Sequence, residues 1–474
     1  MTHAEVTDHT SVPGATQQLA NFANRVALSD VPDDVVSKLK MLILDQLGAE
    51  VSCMDLPWTQ SIKRYAERYS RKGEAIVMIS GEPLDAEYAA LVNGTAGHGF
   101  EIDDYTPAPT HIGCVAVPAS IAVALEQQST GEELLLALLA AFEIHARIAY
   151  ATMPSMIVDR GFHATCVHGV FGSAAAASRL MKLSERETLM ALSIAGSHAS
   201  GTTEFSQSGG DIKRFHAGMG AAGGIRSARS AACGMTGPGT ILEGRRGTLQ
   251  AFSAHPNPNA LLDGLWKKWL LMETEVKPYT CCGLVISQVE GLRNLVKEHD
   301  IKNADIEKIV VGADQFSLVH VGSIGPQPKT IIEAQFSTHF SLAMTLVLGA
   351  NDFSSYHAMA GGNFQHPGVC EMARRVEVIF DPQLQARFPD ISKSNVTIST
   401  KDGRTLRGDG FGYRKLSKEE VEKKFLGLVN GVLTTEQASG IIDAVANMEK
   451  IGNATELVQL LVRKKNIVRK SKKR

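Results

Sequence analysis

The apolar pattern of this chain changes period at Lys277 and changes back near Gly412. Upstream, apolar residues come in runs and spacings that suit helices. Asp33 and Asp34 stand before Val35 and Val36, with Leu39, Leu42, Ile43 and Leu44 following, the pattern of an acidic N-cap leading into a buried helix. The stretches from Glu132 to Tyr150, Gly172 to Leu183 and Glu187 to Ala199 read likewise. Downstream, Ile306 to Ala313, Val376 to Phe380 and Val396 to Ser399 alternate or run apolar over strand lengths, and Asp402-Gly403 marks a hairpin turn into Thr405 to Arg407. One helix is predicted from about Ile332 to Leu348, between the first two strands. Past Gly412, Ser417-Lys-Glu-Glu has the form of a capping box, and helical spacing returns over Thr434 to Val445 and Thr455 to Val462. The pattern predicts a mainly α chain with an inserted α+β domain. A discontinuous helical main domain is expected from residues 1–276 and 413–474, with a smaller α+β lid at 277–412. Small-molecule clefts form preferentially at domain junctions, so the active site is expected between the two.

A length of 474 residues exceeds what a single core supports, which agrees with two domains. Small residues crowd Gly169 to Ala177 and Gly218 to Ala232, where they let helix axes approach closely. With 48 basic and 50 acidic residues the net charge is −2, so no whole-protein field attracts nucleic acid, and any anion preference is local. The apolar run Leu134 to Phe142 is closely followed by Glu143, His145 and Arg147, short of the about 20 apolar residues of a membrane span. No membrane partner is therefore expected. The first residues lack the design of a signal or transit peptide, which predicts a cytoplasmic protein, with the mitochondrial matrix left open. From Arg463 onward stand eight basic residues, read as a solvated tail.

Seven cysteines without a paired pattern read as reduced thiols. There is no Cys-x-x-Cys pair, and no two histidines stand in the His-Glu-x-x-His arrangement of zinc helices. Neither a metal nor another cofactor is expected. Cys281 and Cys282 read as small packing residues.

Cationic and proton-carrying side chains gather in a few short segments. Glu101, Asp103 and Asp104 crowd together, and like charge with burial raises a carboxyl pKa toward the range of a working acid or base. Helix capping with a surface charge pair is the other reading of these acids. His111 follows the rigid Pro107-Ala-Pro109, and His163 follows Gly161-Phe162 before a small-residue helix. Each stands on a constrained loop, as a proton carrier or as a structural histidine. Lys213, Arg214 and His216 lie within four residues, so they cannot all face one ligand, and Arg214 is suited to grip a carboxylate or an acidic side chain. Lys277 stands at the predicted domain junction, before Pro278 and Tyr279.

These segments fall in ordered blocks: His98-Gly-Phe-Glu-Ile-Asp-Asp-Tyr105, Thr110-His-Ile-Gly113, Gly161-Phe-His163, Ile212-Lys-Arg-Phe-His216, Gly237-Pro-Gly-Thr-Ile-Leu-Glu-Gly244, Lys277-Pro-Tyr-Thr-Cys-Cys-Gly283 and Glu333-Ala-Gln-Phe-Ser337. In this the chain resembles the MmgE/PrpD family, which includes dehydratases, decarboxylases and epimerases of small polycarboxylates. The resemblance implies Glu101, Asp104, His111, His163, Lys213 and Lys277 as catalytic residues, and Arg214, His216, Tyr279 and His320 as substrate contacts. It implies a homodimer and a cofactor-independent lyase that dehydrates or decarboxylates a citrate-like or aconitate-like acid. An epimerase or isomerase of a small dicarboxylate such as iminodisuccinate is the alternative. One departure stands out: the family's animal decarboxylases place a tyrosine where this chain reads Gln315 to Gly322 without one, leaving His320 as the nearby substitute.

Overall fold

The computed structural model describes residues 14–388, 393–412 and 414–464. The first residues and the basic tail beyond Lys464 lie outside them. The chain is predominantly α-helical with small β-sheets, as its periodicity predicts. Its described residues divide into two compact units: those within 14–99, 108–274 and 418–464 form the first, and those within 100–107 and 275–417 form the second. The acidic segment at 100–107 thus belongs with the second unit.

The first unit is a stack of helices that cross at glycine. The helix Ile212–Ala232 lies between the helices Ala86–Gly97 and Ala164–Leu180. Its approach to the first is so close that a Cβ on Gly218 would overlap the Leu91 carbonyl oxygen, and one on Gly224 would overlap Ser173 on the second. The helix Gly131–Thr152 has the length and apolarity of a membrane span, yet nearly all of it is buried in the structure. Inside it Arg147 and Glu143 form a fully buried pair at 2.9 Å. Arg147 also donates to the carbonyls of Leu261, Asp263 and Lys268, while Glu143 accepts from the amides of Leu270 and Leu271. The returning helix Lys418–Val429 packs on Asp33–Cys53, where Gly48 leaves room for Phe425 and Leu428, and Lys424 reaches Asp45 at 2.7 Å. A short hairpin of β1 (Ala75–Val77) and β2 (Glu82–Leu84) completes this unit's sheet structure.

In the second unit β3 (Asp104–Tyr105) pairs antiparallel with β4 (Glu275–Val276). The larger sheet contains β5 (Ile306–Ala313), β6 (Val376–Phe380), β7 (Lys393–Thr400) and β8 (Thr405–Phe411), in the order β6-β5-β7-β8, with only β5 and β6 parallel. The helix Gly283–Glu298 covers it, and a Cβ on Gly410 would overlap the Ser287 carbonyl oxygen.

Three local expectations need correction. The single helix expected over Ile332 to Leu348 is two, Ile331–Phe336 and Thr338–Leu348, because Ser337 is extended (ψ 113°) and its hydroxyl accepts from the Phe340 amide to cap the second. Asp33 and Asp34 lie in the first helical turn rather than at the N-cap, which is Pro32. The strand after Asp402-Gly403 continues to Phe411, through alternating residues whose glycines weaken the sequence signal.

Candidate active site

Four histidines of the first unit stand in a row. His98 ends the helix Ala86–Gly97, and its ring lies 4.7 Å from that of His111 and 5.7 Å, stacked, from that of His163. His163 is the extended residue at the N-cap of Ala164–Leu180. Its Nδ1 lies 3.0 Å from Nδ1 of His216, near the start of Ile212–Ala232. His98, His163 and His216 are buried, and His111 is half-buried. Phe205 packs edge-on against both His163 and His216. Burial, and next the positive charge of Lys213, push the His216 pKa down to about 4, so this imidazole is neutral at pH 7. The structure brings His111, His163, His216 and Lys213 into one neighbourhood. It adds His98, which residue-by-residue reading did not single out; its setting between Gly97 and Gly99 in the first sequence block was the available signal.

Behind the row lie two further histidines. Nε2 of His145 bonds Thr110 Oγ1 at 2.8 Å, next to His111, and Nε2 of His168 bonds Thr152 Oγ1 at 2.7 Å. Burial holds the His145 pKa well below the usual histidine range and lowers that of His168 to about 3. Both serve as neutral spacers, with Thr110 linking one of them to the loop that carries His111.

The acidic segment of the second unit supplies a different arrangement. Glu101 adopts a left-handed backbone (φ 57°), and its Oε2 accepts from Nζ of Lys277 at 2.8 Å. Asp103 Oδ1 stands 4.0 Å from the same nitrogen. All three side chains are buried. Asp104, on β3, faces Val276 in register, which ties the segment to the strand that leads into Lys277. Lys277 and the acids are therefore one built group, with a single ammonium among carboxylates. Their charge crowding arises in a loop and a two-residue strand.

The remaining candidates are engaged elsewhere. Arg214 donates to the Gly99 carbonyl at 3.1 Å and to Asp211 at 3.2 Å, and its guanidinium covers the Trp58 ring at 4.1 Å. It clamps the residue after His98 to the start of Ile212–Ala232, so the acidic side chain it grips is Asp211. Tyr279 donates its hydroxyl to Glu290 at 2.5 Å and lies under Arg293. It lines a cavity of about 570 Å³ with Arg293, Lys297 and Arg414, and neither Glu101 nor Lys277 lines that cavity. His320, on the π-helical turn Leu318–Gly322, bonds the Phe316 carbonyl at 3.0 Å and packs on its ring. Cys281 is fully buried, and burial raises its thiol pKa, which keeps it from acting as a thiolate.

Comparison with known proteins gives the family of the chain. The MmgE/PrpD N-terminal domain matches residues 17–261, and the MmgE/PrpD C-terminal domain matches residues 279–450. This chain belongs to the MmgE/PrpD family. Among its relatives, a cis-aconitate decarboxylase of Aspergillus terreus is 26% identical over 477 residues, covering 96% of this chain and 97% of that protein. The human cis-aconitate decarboxylase is 28% identical over 467 residues, covering 94% of each. The mouse enzyme is 28% identical over 466 residues, covering 94% of this chain and 93% of its own. In this MmgE/PrpD protein the histidine row falls within the N-terminal match, whereas Lys277 lies in the gap before the C-terminal one.

Proposed function

We propose that this chain is a cofactor-independent lyase that acts on a small tricarboxylate of the aconitate or citrate type, with loss of carbon dioxide as the first expectation and loss of water as the second. The observation that carries this reading is the buried Lys213 beside the coupled imidazoles of His163 and His216, supported by nearly full-length similarity to cis-aconitate decarboxylases. A polycarboxylate needs cations that are not solvated away, and a proton carrier at the carbon that changes its bonds.

Decarboxylation breaks the bond between a carbon and one carboxylate, leaves the electron pair on the carbon, and replaces carbon dioxide there with a proton. In this reading Lys213 binds a carboxylate and stabilises the negative charge that develops in the transition state, a role the family resemblance also gives to Lys277. Proton delivery falls to His163, with His111 as the second proton carrier. Glu101 holds the Lys277 ammonium in place through the 2.8 Å bond. Dehydration uses the same parts in another order: removal of a proton next to a carboxylate, then protonation of the departing hydroxyl.

The test is incubation with cis-aconitate, citrate, 2-methylcitrate and iminodisuccinate in heavy water, followed by proton NMR. The expected outcome is loss of carbon dioxide or water from a tricarboxylate, with deuterium on the carbon that receives the proton. Turnover of iminodisuccinate alone, with deuterium exchange and no bond cleavage, would assign the chain to the epimerases instead.

A further inference from the structure

We propose that His216 is a positioning residue that sets the proton arrangement of His163: His163 carries its proton on Nδ1 and donates it to the Nδ1 lone pair of His216, leaving Nε2 of His163 as the basic atom. This inference rests on the lyase reading above, and it replaces the expectation that His216 contacts substrate.

The geometry leaves few choices. Two imidazole nitrogens 3.0 Å apart attract only when one bears a hydrogen and the other a lone pair, so the two rings hold complementary tautomers at their Nδ1 atoms. One glycine fixes both partners. Gly201 has a backbone conformation open to few other residues (φ 107°), and its carbonyl accepts the His163 amide at 3.0 Å. A Cβ at Gly201 would stand 3.0 Å from Nδ1 of His216, so the His216 ring rests against bare backbone. His216 is further fixed by the helix Ile212–Ala232 and by Phe205.

The proposed direction of the bond agrees with the groups beside each ring. The hydroxyl of Thr165 lies 3.4 Å from Nε2 of His163 and can rotate to donate weakly to a lone pair there. Burial, and next the charge of Lys213, keep His216 neutral, so its Nδ1 offers a lone pair to His163 when its own proton sits on Nε2. When His163 takes a proton on Nε2, the imidazolium keeps its Nδ1–H bond to His216 and later returns the Nε2 proton, so no net proton is lost by the pair. This is the logic by which a third group orients a catalytic histidine, here with an imidazole as the orienting acceptor.

The experiment combines side-chain nitrogen NMR on histidine-labelled protein with kinetics of His216→Ala and His216→Gln. In the wild type, His163 is expected as the Nδ1–H tautomer and His216 as the Nε2–H tautomer. His216→Ala should lower kcat by about tenfold to hundredfold with KM nearly unchanged. His216→Gln, whose side-chain carbonyl can accept the same proton, should recover part of that loss. A His163 tautomer of the opposite kind, or one unaltered by His216→Ala, overturns the proposal. A rise in KM with kcat unchanged also overturns it and returns His216 to substrate binding. The NMR result stands even if no tricarboxylate is turned over, so failure of the lyase reading is distinguishable from failure of this one.

Discussion

At the scale of single residues, Lys277 and Glu101 cannot be judged apart. Their 2.8 Å pair is buried, so Lys277→Met removes a cation and also leaves a buried carboxylate without it. Breaking such a pair from one side destabilises by about 3–5 kcal/mol. Lys277→Met is therefore expected to lose activity by two or more orders of magnitude and to melt lower. Adding Glu101→Gln should restore much of the melting temperature without restoring turnover. A double variant that regains activity would remove Lys277 from the chemistry. Arg214, Tyr279 and His320 likewise have partners in the fold, namely Asp211, Glu290 and the Phe316 carbonyl.

At the scale of elements, two features of the first unit are open to test by substitution. The Glu143–Arg147 pair on Gly131–Thr152 ties down the stretch from Leu261 to Leu271 through five backbone contacts. Arg147→Ala should cost about 3–5 kcal/mol, read as a lower urea midpoint, because it leaves the Glu143 carboxylate and several carbonyls unsatisfied in the interior. A change below about 1 kcal/mol would show that water replaces the guanidinium there. The helix crossing at Gly218 is equally intolerant of bulk, since a Cβ meets the Leu91 carbonyl oxygen, which belongs to a helix backbone and cannot swing aside. Gly218→Ala should be destabilising even though alanine is the better helix former. Equal or higher stability would refute that crossing.

At the scale of the whole molecule, acid should unfold the protein from the histidines outward. The His168 pKa is about 3 in the folded chain against 6.5 for a free histidine, so between those values the unfolded chain binds a proton that the folded chain refuses. Stability then rises with pH through this window and is lost as pH falls below about 6.5, by at most about 1.4 kcal/mol per pH unit for one such group. His145 and His216 act in the same direction. Urea unfolding at pH 7.5, 6 and 5 should show the decline, and His168→Asn should make it shallower; an identical slope would clear His168. Truncation after Gly412 removes Lys418–Val429, whose Phe425 and Leu428 pack at Gly48, and should give insoluble protein. Removing only residues 465–474 should change little. A soluble, active product from the longer cut would show that the first unit does not need its C-terminal helices.

Sequence by itself determined the fold class, the positions of β5 and β6, the return to helix after the sheet, and the blocks that mark the family. These depend on periodicity and on blocks of adjacent residues, which a linear chain displays directly. Tertiary structure alone decided that the acidic segment at 100–107 packs with residues beyond 275, that Glu101 pairs with Lys277 across 176 positions, and that His216 faces His163. It also added His98 to the row. Hydrogen bonds between distant residues leave no periodic trace, because their geometry is set by where helices cross, and those crossings are fixed by contacts such as Gly218 on Leu91 that involve no reactive group at all.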